Sequence, residues 1–205
     1  MELTTNSSDY LGKSAVGYMI NTLLSESSQN EIKKLQEKFV TEFGDLVWTT
    51  PLDALHITLL DLLAPLVDYD NDKNTLFENL GSQYNKALEE VLRETGPIDL
   101  TFSNMSVSSS AVIIVADESS TQAINNLRQK FLSKIELLPN TKQPPNIVHS
   151  TIIRFVGKAA VGNVQNFASN LDFSFVEQIK SFQLVRESKL PMLEYSLIKT
   201  YDLNS

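Results

Sequence analysis

The sequence contains no cysteine, and only two of its 205 residues are histidines. Without cysteine the chain can form no disulfide, hold no thiolate-bound metal and use no cysteine nucleophile. It also has no apolar run of the roughly 18 residues needed to cross a membrane, and its first residues are polar. We therefore expect a cytoplasmic protein with no signal peptide and no membrane span.

Basic residues are outnumbered by acidic ones. The chain has 17 Lys and Arg against 25 Asp and Glu, which gives a net charge of -8. Long nucleic acids are bound through many Lys and Arg contacts to phosphates. The composition therefore argues against a long nucleic-acid-binding face, but it permits a pocket for one small nucleotide or one RNA end.

Two predicted helices repeat the same apolar spacing. The repeated positions are Ile32, Leu35, Phe39 and Phe43 in one helix and Ile124, Leu127, Phe131 and Ile135 in the other. Steps of three and four place each set on one helical stripe. Capping boxes predict the helix starts, including that of a third helix. These boxes are Ser28 with Glu31, Thr75 with Glu78, and Ser119 with Gln122.

Each repeated helix lies between two apolar segments that are typical of buried strands. The segments cover residues 14–20 and 55–60 in the first half, and residues 110–115 and 148–153 in the second. We infer a duplicated, two-lobed α+β fold with mainly antiparallel sheets and helices packed outside them.

The lobe-forming repeats are predicted at about 14–66 and 110–158 within a single domain of residues 14–205. Residues 1–13 are predicted to be a flexible tail. The Thr75 helix and a strand over residues 98–102 are predicted to bridge the halves. A short helix and two further strands, over residues 173–186 and 194–203, are predicted to complete the chain.

The two histidines occupy equivalent places in the repeat, and each is followed two residues later by threonine. Strand side chains alternate between faces, so His56 shares a face with Thr58, as His149 does with Thr151. If the halves meet about a local twofold axis, two imidazoles and two hydroxyls converge on one cleft. One imidazole can accept a proton while the other donates one, and the hydroxyls can donate to phosphoryl oxygens. This pattern suits metal-independent phosphodiester chemistry.

Two other interpretations of the histidines stay open. A histidine beside apolar residues can be a half-buried side chain with only a structural role. Two histidines can also bind a metal ion, although the sequence offers no matched third and fourth ligands at helical spacing. The shared His-x-Thr context favours the acid and base pair, and we expect neither a metal nor a cofactor.

Two His-x-Thr motifs on strands of duplicated halves resemble the two-histidine (2H) phosphoesterase superfamily. This superfamily includes bacterial RNA 2',3'-cyclic phosphodiesterases, also called 2'-5' RNA ligases. Residues 149–154 (HSTIIR) match the form of the motif that has a trailing arginine. Residues 187–203 are similar to the last hairpin of the RNA ligase-like branch. The first motif departs from this pattern, because Asp61 stands where Arg154 stands in the second.

The resemblance adds three candidate substrate-binding residues, each with an alternative. Arg154 can contact a phosphate only if a bulge turns it toward the cleft, because in a regular strand it would face away from His149. Tyr18 lies in a strand that lines the cleft in the family, although packing in the core is the simpler role for it. Lys189 lies in a turn that the family places near the cleft mouth, although it can also be a solvated turn residue.

These observations predict a phosphodiesterase that hydrolyses cyclic or 2'-linked phosphodiesters of RNA ends or small nucleotides. His56 and His149 would be its general acid and base, and Thr58 and Thr151 would assist them. Which histidine is the base stays open, as does whether hydrolysis or ligation dominates, because the roles exchange with reaction direction. The alternative is a noncatalytic nucleotide- or RNA-binding module with the same cleft. We expect a monomer.

Overall fold

The computed structural model describes residues 10–141, 143–157 and 161–204, which form four α-helices and nine strands. The helices are α1 (Glu26–Phe43), α2 (Lys73–Arg93), α3 (Glu118–Leu132) and α4 (Val161–Ser169). The strands are β1 (Ser14–Leu23), β2 (Val47–Thr49), β3 (His56–Leu63), β4 (Ile98–Val107), β5 (Ala111–Ala116), β6 (His149–Phe155), β7 (Phe175–Ile179), β8 (Ser181–Lys189) and β9 (Glu194–Asp202). None of the described helices is both long and apolar enough to span a membrane.

The strands form two antiparallel sheets, and each sheet contains one of the two His-x-Thr strands. The first sheet has the order β3-β1-β8-β9, and the second has the order β2-β6-β5-β4-β7. The strand that begins at His56 is an edge strand, whereas the one that begins at His149 lies between β2 and β5. These two strands contact each other where the sheets meet. The predicted duplicated, two-lobed α+β fold is therefore confirmed.

The repeat is visible in the strand pairing. In the first half β1 pairs with β3, and in the second half β5 pairs with β6. One element crosses between the halves, since β2 follows α1 in the chain but pairs with β6. The sequence analysis missed β2 because three residues are too few to show a periodic pattern. The lobe limits of 14–66 and 110–158 stay a prediction.

The two repeated helices pack across the lobes. Helix α1 contacts β6 and β7, whereas α3 contacts β3 and β4. Their predicted stripes are buried except for Phe43, which is half-buried, and Ile135 is buried but lies beyond the end of α3. Ile32, Phe39, Ile124 and Phe131 are fully shielded from solvent. Because each helix buries its stripe partly against strands of the other half, one continuous apolar core joins the lobes.

The helices begin earlier than the capping boxes predict. The observed N-caps are Ser25, Asp72 and Asp117. Each N-cap side chain accepts a hydrogen bond from a backbone N–H in the first turn, for example Asp117 from Ser120 at 2.7 Å. The prediction was wrong because the predicted caps lie within the first turn, where hydroxyl and carboxylate groups are also common.

The strand predicted over residues 173–186 is two strands in different sheets. Strand β7 pairs with β4 in the second sheet, and β8 pairs with β1 in the first. The chain crosses between the sheets at Lys180 without a glycine or proline, so no turn residue marks the boundary. The predicted short helix is present as α4, and β8 and β9 form the predicted final hairpin.

The predicted flexible tail falls mainly on residues 1–9, which lie outside the described residues. The four residues that follow are attached to the turn between β8 and β9. The Gly12 N–H donates to the Leu190 carbonyl at 2.8 Å, and the Leu190 N–H donates to the Lys13 carbonyl at 2.9 Å. This attachment brings Tyr10 to the edge of the cleft that is described next.

Candidate active site

A cleft of about 200 Å³ lies where the two His-x-Thr strands meet. His56 and Thr58 reach it from β3, and His149 and Thr151 reach it from β6. The structure therefore brings together all four side chains that the sequence predicts to act together. The rest of the lining is Tyr10, Met19, Thr50, Asp61, Pro65, Arg154, Glu187, Pro191 and Met192.

Both His-x-Thr strands carry a β-bulge at the same place in the repeat. In the pairing of β1 with β3 the register skips Leu59, since Thr58 and Leu60 lie opposite consecutive residues of β1. The pairing of β5 with β6 skips Ile152 in the same way. A bulge adds one residue to its strand and resets the alternation of faces beyond it.

The bulges decide which residue follows the threonine into the cleft. Leu59 and Leu60 are both buried, so the next cleft-facing residue of β3 is Asp61. The equivalent residue of β6 is Arg154, whose orientation in a regular strand would be away from His149. The bulge that the sequence analysis required for Arg154 is therefore present, and it has a counterpart in the other half.

One ring nitrogen of His56 is held by the backbone. His56 Nδ1 lies 2.8 Å from the carbonyl oxygen of Ala54. A carbonyl can only accept, so Nδ1 carries the proton in this contact. Nε2 of the neutral ring is then left with a lone pair. A ring held in this way can accept a proton at Nε2 and release it again.

Burial shifts both histidines toward their neutral forms. It lowers the pKa of His56, with the hydrogen bond to Ala54 opposing the shift and the charge of Arg154 adding to it. It also lowers the pKa of His149, and the charges of His56, Arg128 and Arg154 lower that pKa further. The two imidazoles lie close enough for their charges to interact.

Arg154 is held by stacking and keeps a donor unused. Its guanidinium carbon lies 4.8 Å from the centre of the Tyr10 ring. Its Nε is buried and has no hydrogen-bond partner among the described residues. A buried donor without an acceptor is unfavourable, and an anion in the cleft would relieve it.

Two carboxyl groups face the same cleft. Burial raises the pKa of Asp61 above its usual range. Burial also raises the pKa of Glu187 to about 7; the N–H of Met192 and the charge of Arg154 oppose the rise, and Asp61 adds to it. Glu187 Oε1 accepts the Met192 N–H. The cleft is therefore least negative at acidic pH, when these carboxyls are protonated.

The structure does not bring Tyr18 or Lys189 into the cleft. Tyr18 is buried, its ring stacks on Phe77 with a centroid distance of 4.0 Å, and its hydroxyl donates to Asn74 at 2.8 Å. Lys189 Nζ lies 2.9 Å from a carboxylate oxygen of Glu194. Neither side chain lines the cleft, so the substrate contacts predicted for both stay predictions without support from its lining. Tyr18 occupies the core position named as its alternative, and Lys189 forms an exposed ion pair.

Sequence reasoning missed several lining residues. Tyr10 was assigned to the tail, Asp61 was noted only as a departure from the family pattern, and Glu187 only as part of a hairpin. Thr50, whose buried Oγ1 has no partner among the described residues, was not considered. The position of Asp61 was readable, because the repeat aligns it with Arg154.

A second hollow of about 380 Å³ opens beside the cleft. Thr58, Asp61 and His149 line both spaces. Its remaining wall consists of residues 143–145, the bulge of β3 and Arg128. A ligand larger than a phosphate could extend into this space. Among the described residues, no three His, Asp or Glu side chains are grouped so that they could hold a metal ion.

Solved structures share this fold, although no protein-family model and no curated protein sequence matches the chain. TT0787 of Thermus thermophilus aligns with a TM-score of 0.66 at 17% identity, covering 91% of this chain and 97% of that one. A structure described as a phosphoesterase aligns with a TM-score of 0.59 at 16% identity, covering 92% of this chain and 99% of that one. LigT of E. coli aligns with a TM-score of 0.58 at 14% identity, covering 94% of this chain and 100% of that one.

This chain therefore has the fold of these solved proteins, one of which is described as a phosphoesterase, over nearly its whole length. The resemblance inferred from the two His-x-Thr motifs is therefore confirmed for the architecture. E. coli LigT has also been solved with 3'-AMP, ATP, NADP+ and phosphate.

We expect both imidazoles to be neutral at pH 7. Since burial lowers both pKa values, each ring should titrate with a midpoint below 6.5. Proton NMR of the ring C–H signals can measure this, and His56→Ala assigns the two resonances because the chain has only two histidines. A midpoint above 6.5 for either ring would show that a carboxylate, not burial, dominates its surroundings.

Glu187→Gln should flatten part of the pH dependence of stability. A buried carboxyl whose pKa rises from 4.5 to about 7 binds its proton more tightly in the folded state, so stability falls as pH rises through this range. The shift corresponds to about 3 kcal/mol, which the neutral amide should remove. Urea unfolding between pH 4.5 and pH 7 measures it, with the exposed Glu194→Gln as control. Equal slopes in both variants would contradict a raised pKa.

Proposed function

We propose that the protein is a phosphodiesterase that opens cyclic phosphates or cleaves 2'-linked phosphodiesters in small nucleotides or at RNA ends. The observation that carries this proposal is the convergence of His56 and His149 beside an unpaired donor of Arg154 in one cleft. Two imidazoles supply an acid and a base, and the guanidinium supplies a place for the phosphate.

The proposed step is an in-line displacement at phosphorus. One histidine takes a proton from water as the water oxygen bonds to phosphorus. The other histidine, which is the imidazolium in the reactive form although both rings are mainly neutral at pH 7, gives its proton to the ribose oxygen as the bond from phosphorus to that oxygen breaks. The products are a phosphate monoester and a free hydroxyl, and the two histidines have exchanged protonation states. The reverse direction would join the same groups, so the roles are not fixed to one residue.

The remaining cleft side chains suit the charge that develops on the phosphoryl oxygens. Thr58 and Thr151 carry hydroxyl donors on the same faces as the histidines. Arg154 offers its unused Nε–H together with its positive charge. Donors aimed at a site of developing charge stabilise the transition state more than the ground state.

A small nucleotide suits the size of the site better than a long strand. The cleft and the neighbouring hollow are about 200 and 380 Å³, and they share three wall residues. The net charge of -8 opposes a long polyanion outside the cleft. The nucleotides found in E. coli LigT, namely 3'-AMP, ATP and NADP+, support the same class of ligand.

A second candidate is a nucleotide-binding module without turnover. The two carboxyl groups in the cleft favour it, because ionised Asp61 and Glu187 would oppose the negative charge that builds up in a phosphoryl transition state. Such a module would bind nucleoside monophosphates and form no product. A panel of 2',3'-cyclic nucleotides, 2'-5'-linked oligonucleotides and cyclic phosphate-ended RNA, assayed with and without chelator, separates the two candidates.

Replacing either histidine should abolish most of the activity. His56→Ala or His149→Ala removes one partner of the proton exchange, and we expect kcat to fall about a hundredfold or more. The pH profile of wild-type kcat/KM should be bell-shaped. Initial rates on the most active member of the panel measure both effects. Tyr18→Phe is the control, since its ring lies in the core outside the cleft.

Full activity of His149→Ala on every substrate would contradict this mechanism. A loss in Tyr18→Phe as large as in the histidine variants would show that the losses reflect folding, not chemistry.

Arg154→Met should weaken phosphate binding. The variant keeps an apolar side chain at this position but loses the charge, the stacking of the guanidinium on Tyr10 and the Nε donor, so KM should rise about tenfold or more. Isothermal titration with inorganic phosphate gives the same comparison without turnover. Lys189→Met is the matched control, because Lys189 pairs with Glu194 outside the cleft. Equal effects of the two substitutions would mean that Arg154 does not bind the phosphate.

A further inference from the structure

Two buried polar side chains occupy equivalent positions on the repeated helices. Gln36 lies four residues after Ile32 in α1, and Arg128 lies four residues after Ile124 in α3. Both therefore interrupt the apolar stripe at the same point, with exposures of 5% and 4%. Polar groups at such depth need hydrogen-bond partners. Each finds them on the His-x-Thr strand of the other half.

Arg128 crosses from α3 to the bulge of β3. Its Nε donates to the Leu59 carbonyl and its Nη2 to the Thr58 carbonyl, both at 2.9 Å. Nη1 donates to the carbonyls of Pro145 and Ile147 at 2.8 and 3.1 Å, just before the strand of His149 begins. A single guanidinium therefore connects the backbone at the two His-x-Thr strands.

Gln36 makes the corresponding contact in the other direction. Its Nε2 donates to the Ile152 carbonyl at 3.0 Å and to the Thr50 carbonyl at 2.8 Å. Ile152 is the residue that the register of β6 skips, as Leu59 is in β3. We call Gln36 and Arg128 the crossing pair.

The bulge and the guanidinium depend on each other. Successive carbonyls of a regular strand point to opposite edges, so one planar group cannot donate to both. Thr58 and Leu59 can both bind Arg128 only because the bulge turns their carbonyls to one side. The same bulge turns Asp61 into the cleft. Removal of Arg128 would take away the side-chain donor that these two carbonyls share.

Arg128 also brings a charge close to His149. Its hydrogen bonds end on backbone carbonyls and on Asn125 Oδ1, and no described carboxylate forms an ion pair with it. The charged or titratable groups that bear on His149 are His56 from β3, Arg128 from α3 and Arg154 from β6. Asp61 and Glu187 line the same cleft. Arg128 is not among the groups that shift the pKa of His56.

We propose that the crossing pair consists of positioning residues, with Arg128 holding the bulge of β3 and Gln36 that of β6 so that the two His-x-Thr strands keep their relative position in the cleft. Neither side chain lines the cleft between the histidines, although Arg128 forms part of the wall of the neighbouring hollow. On the reacting groups both act through the backbone of the strands. The proposal rests on the proposed phosphodiesterase function for its kinetic consequences only.

Two substitutions of Arg128 separate its geometry from its charge. Arg128→Lys keeps the charge but loses the fork that joins Thr58 and Leu59. Arg128→Gln loses the charge but keeps an amide that can reach two carbonyls, as Gln36 does. Lys130→Gln removes a charge from the exposed face of the same helix and is the control. The measurements are kcat and KM, the pH profile, and NMR titration of both imidazoles.

We expect Arg128→Lys to lower kcat about tenfold or more while KM changes less than about threefold, because the reacting groups are misplaced but the phosphate site remains. In Arg128→Gln the NMR titration midpoint of His149 should move to higher pH, because a positive charge near it is lost, and the midpoint of His56 should move less. The limb of the kcat/KM pH profile that reports His149 should move to higher pH as well. Lys130→Gln should resemble the wild type. Gln36→Leu should repeat the loss of kcat without moving either midpoint.

Wild-type kcat in folded Arg128→Lys and Gln36→Leu variants would overturn the proposal. If the Arg128 variants do not fold, Gln36→Leu decides, since it removes one neutral amide and no charge. The NMR titration needs no substrate, so an inactive wild type would contradict the proposed function and leave the charge effect of Arg128 measurable.

Discussion

The site depends on one backbone feature, the β-bulge that each His-x-Thr strand carries one residue after its threonine. Without it the alternation of a regular strand would direct Asp61 and Arg154 away from the histidines. With it, each half presents three side chains to one cleft in the order histidine, threonine and a charged residue. Because the bulges lie at equivalent positions, the arrangement follows the duplication of the fold.

The two halves agree in their histidines and threonines and differ in charge. Arg154 stands on β6 where Asp61 stands on β3, and Glu187 adds a second carboxyl from β8. Burial raises the pKa of both carboxyls, to about 7 for Glu187, so the anion-binding capacity of the cleft should depend on pH near neutrality. This asymmetry favours the Arg154 side of the cleft for the phosphate of the proposed substrate.

The repeated elements and motifs could be predicted from the sequence, but side-chain surroundings that depend on packing against other elements could not. The paired spacing around Ile32 and Ile124 and the two His-x-Thr motifs were sufficient for the fold class and for the four converging side chains. The surroundings of Tyr18 stayed open in the sequence, because whether a strand residue faces the cleft or the core depends on the neighbouring helix that supplies Phe77. Whether Arg154 faces the cleft stayed open, because no residue pattern in the sequence indicates a β-bulge.

Other features required the folded chain. The division of residues 173–186 into two strands has no turn residue to mark it, and β2 pairs with a strand of the opposite half. The crossing pair did have a signal, since a polar residue interrupts the same position of both apolar stripes. Such an interruption is informative because a buried polar group requires a partner, and the repeat indicates that the partners are equivalent too.

The most direct test of the central account, that the two histidines hydrolyse a phosphodiester at phosphorus, uses oxygen-18-labelled water. A 2',3'-cyclic nucleotide is incubated with the enzyme and the product is followed by phosphorus NMR. We expect one phosphate monoester with a single labelled oxygen on phosphorus, formed by the wild type and not measurably by the double variant His56→Ala/His149→Ala. Unchanged substrate with the wild type, label on the ribose oxygen, or equal product from the double variant would contradict it.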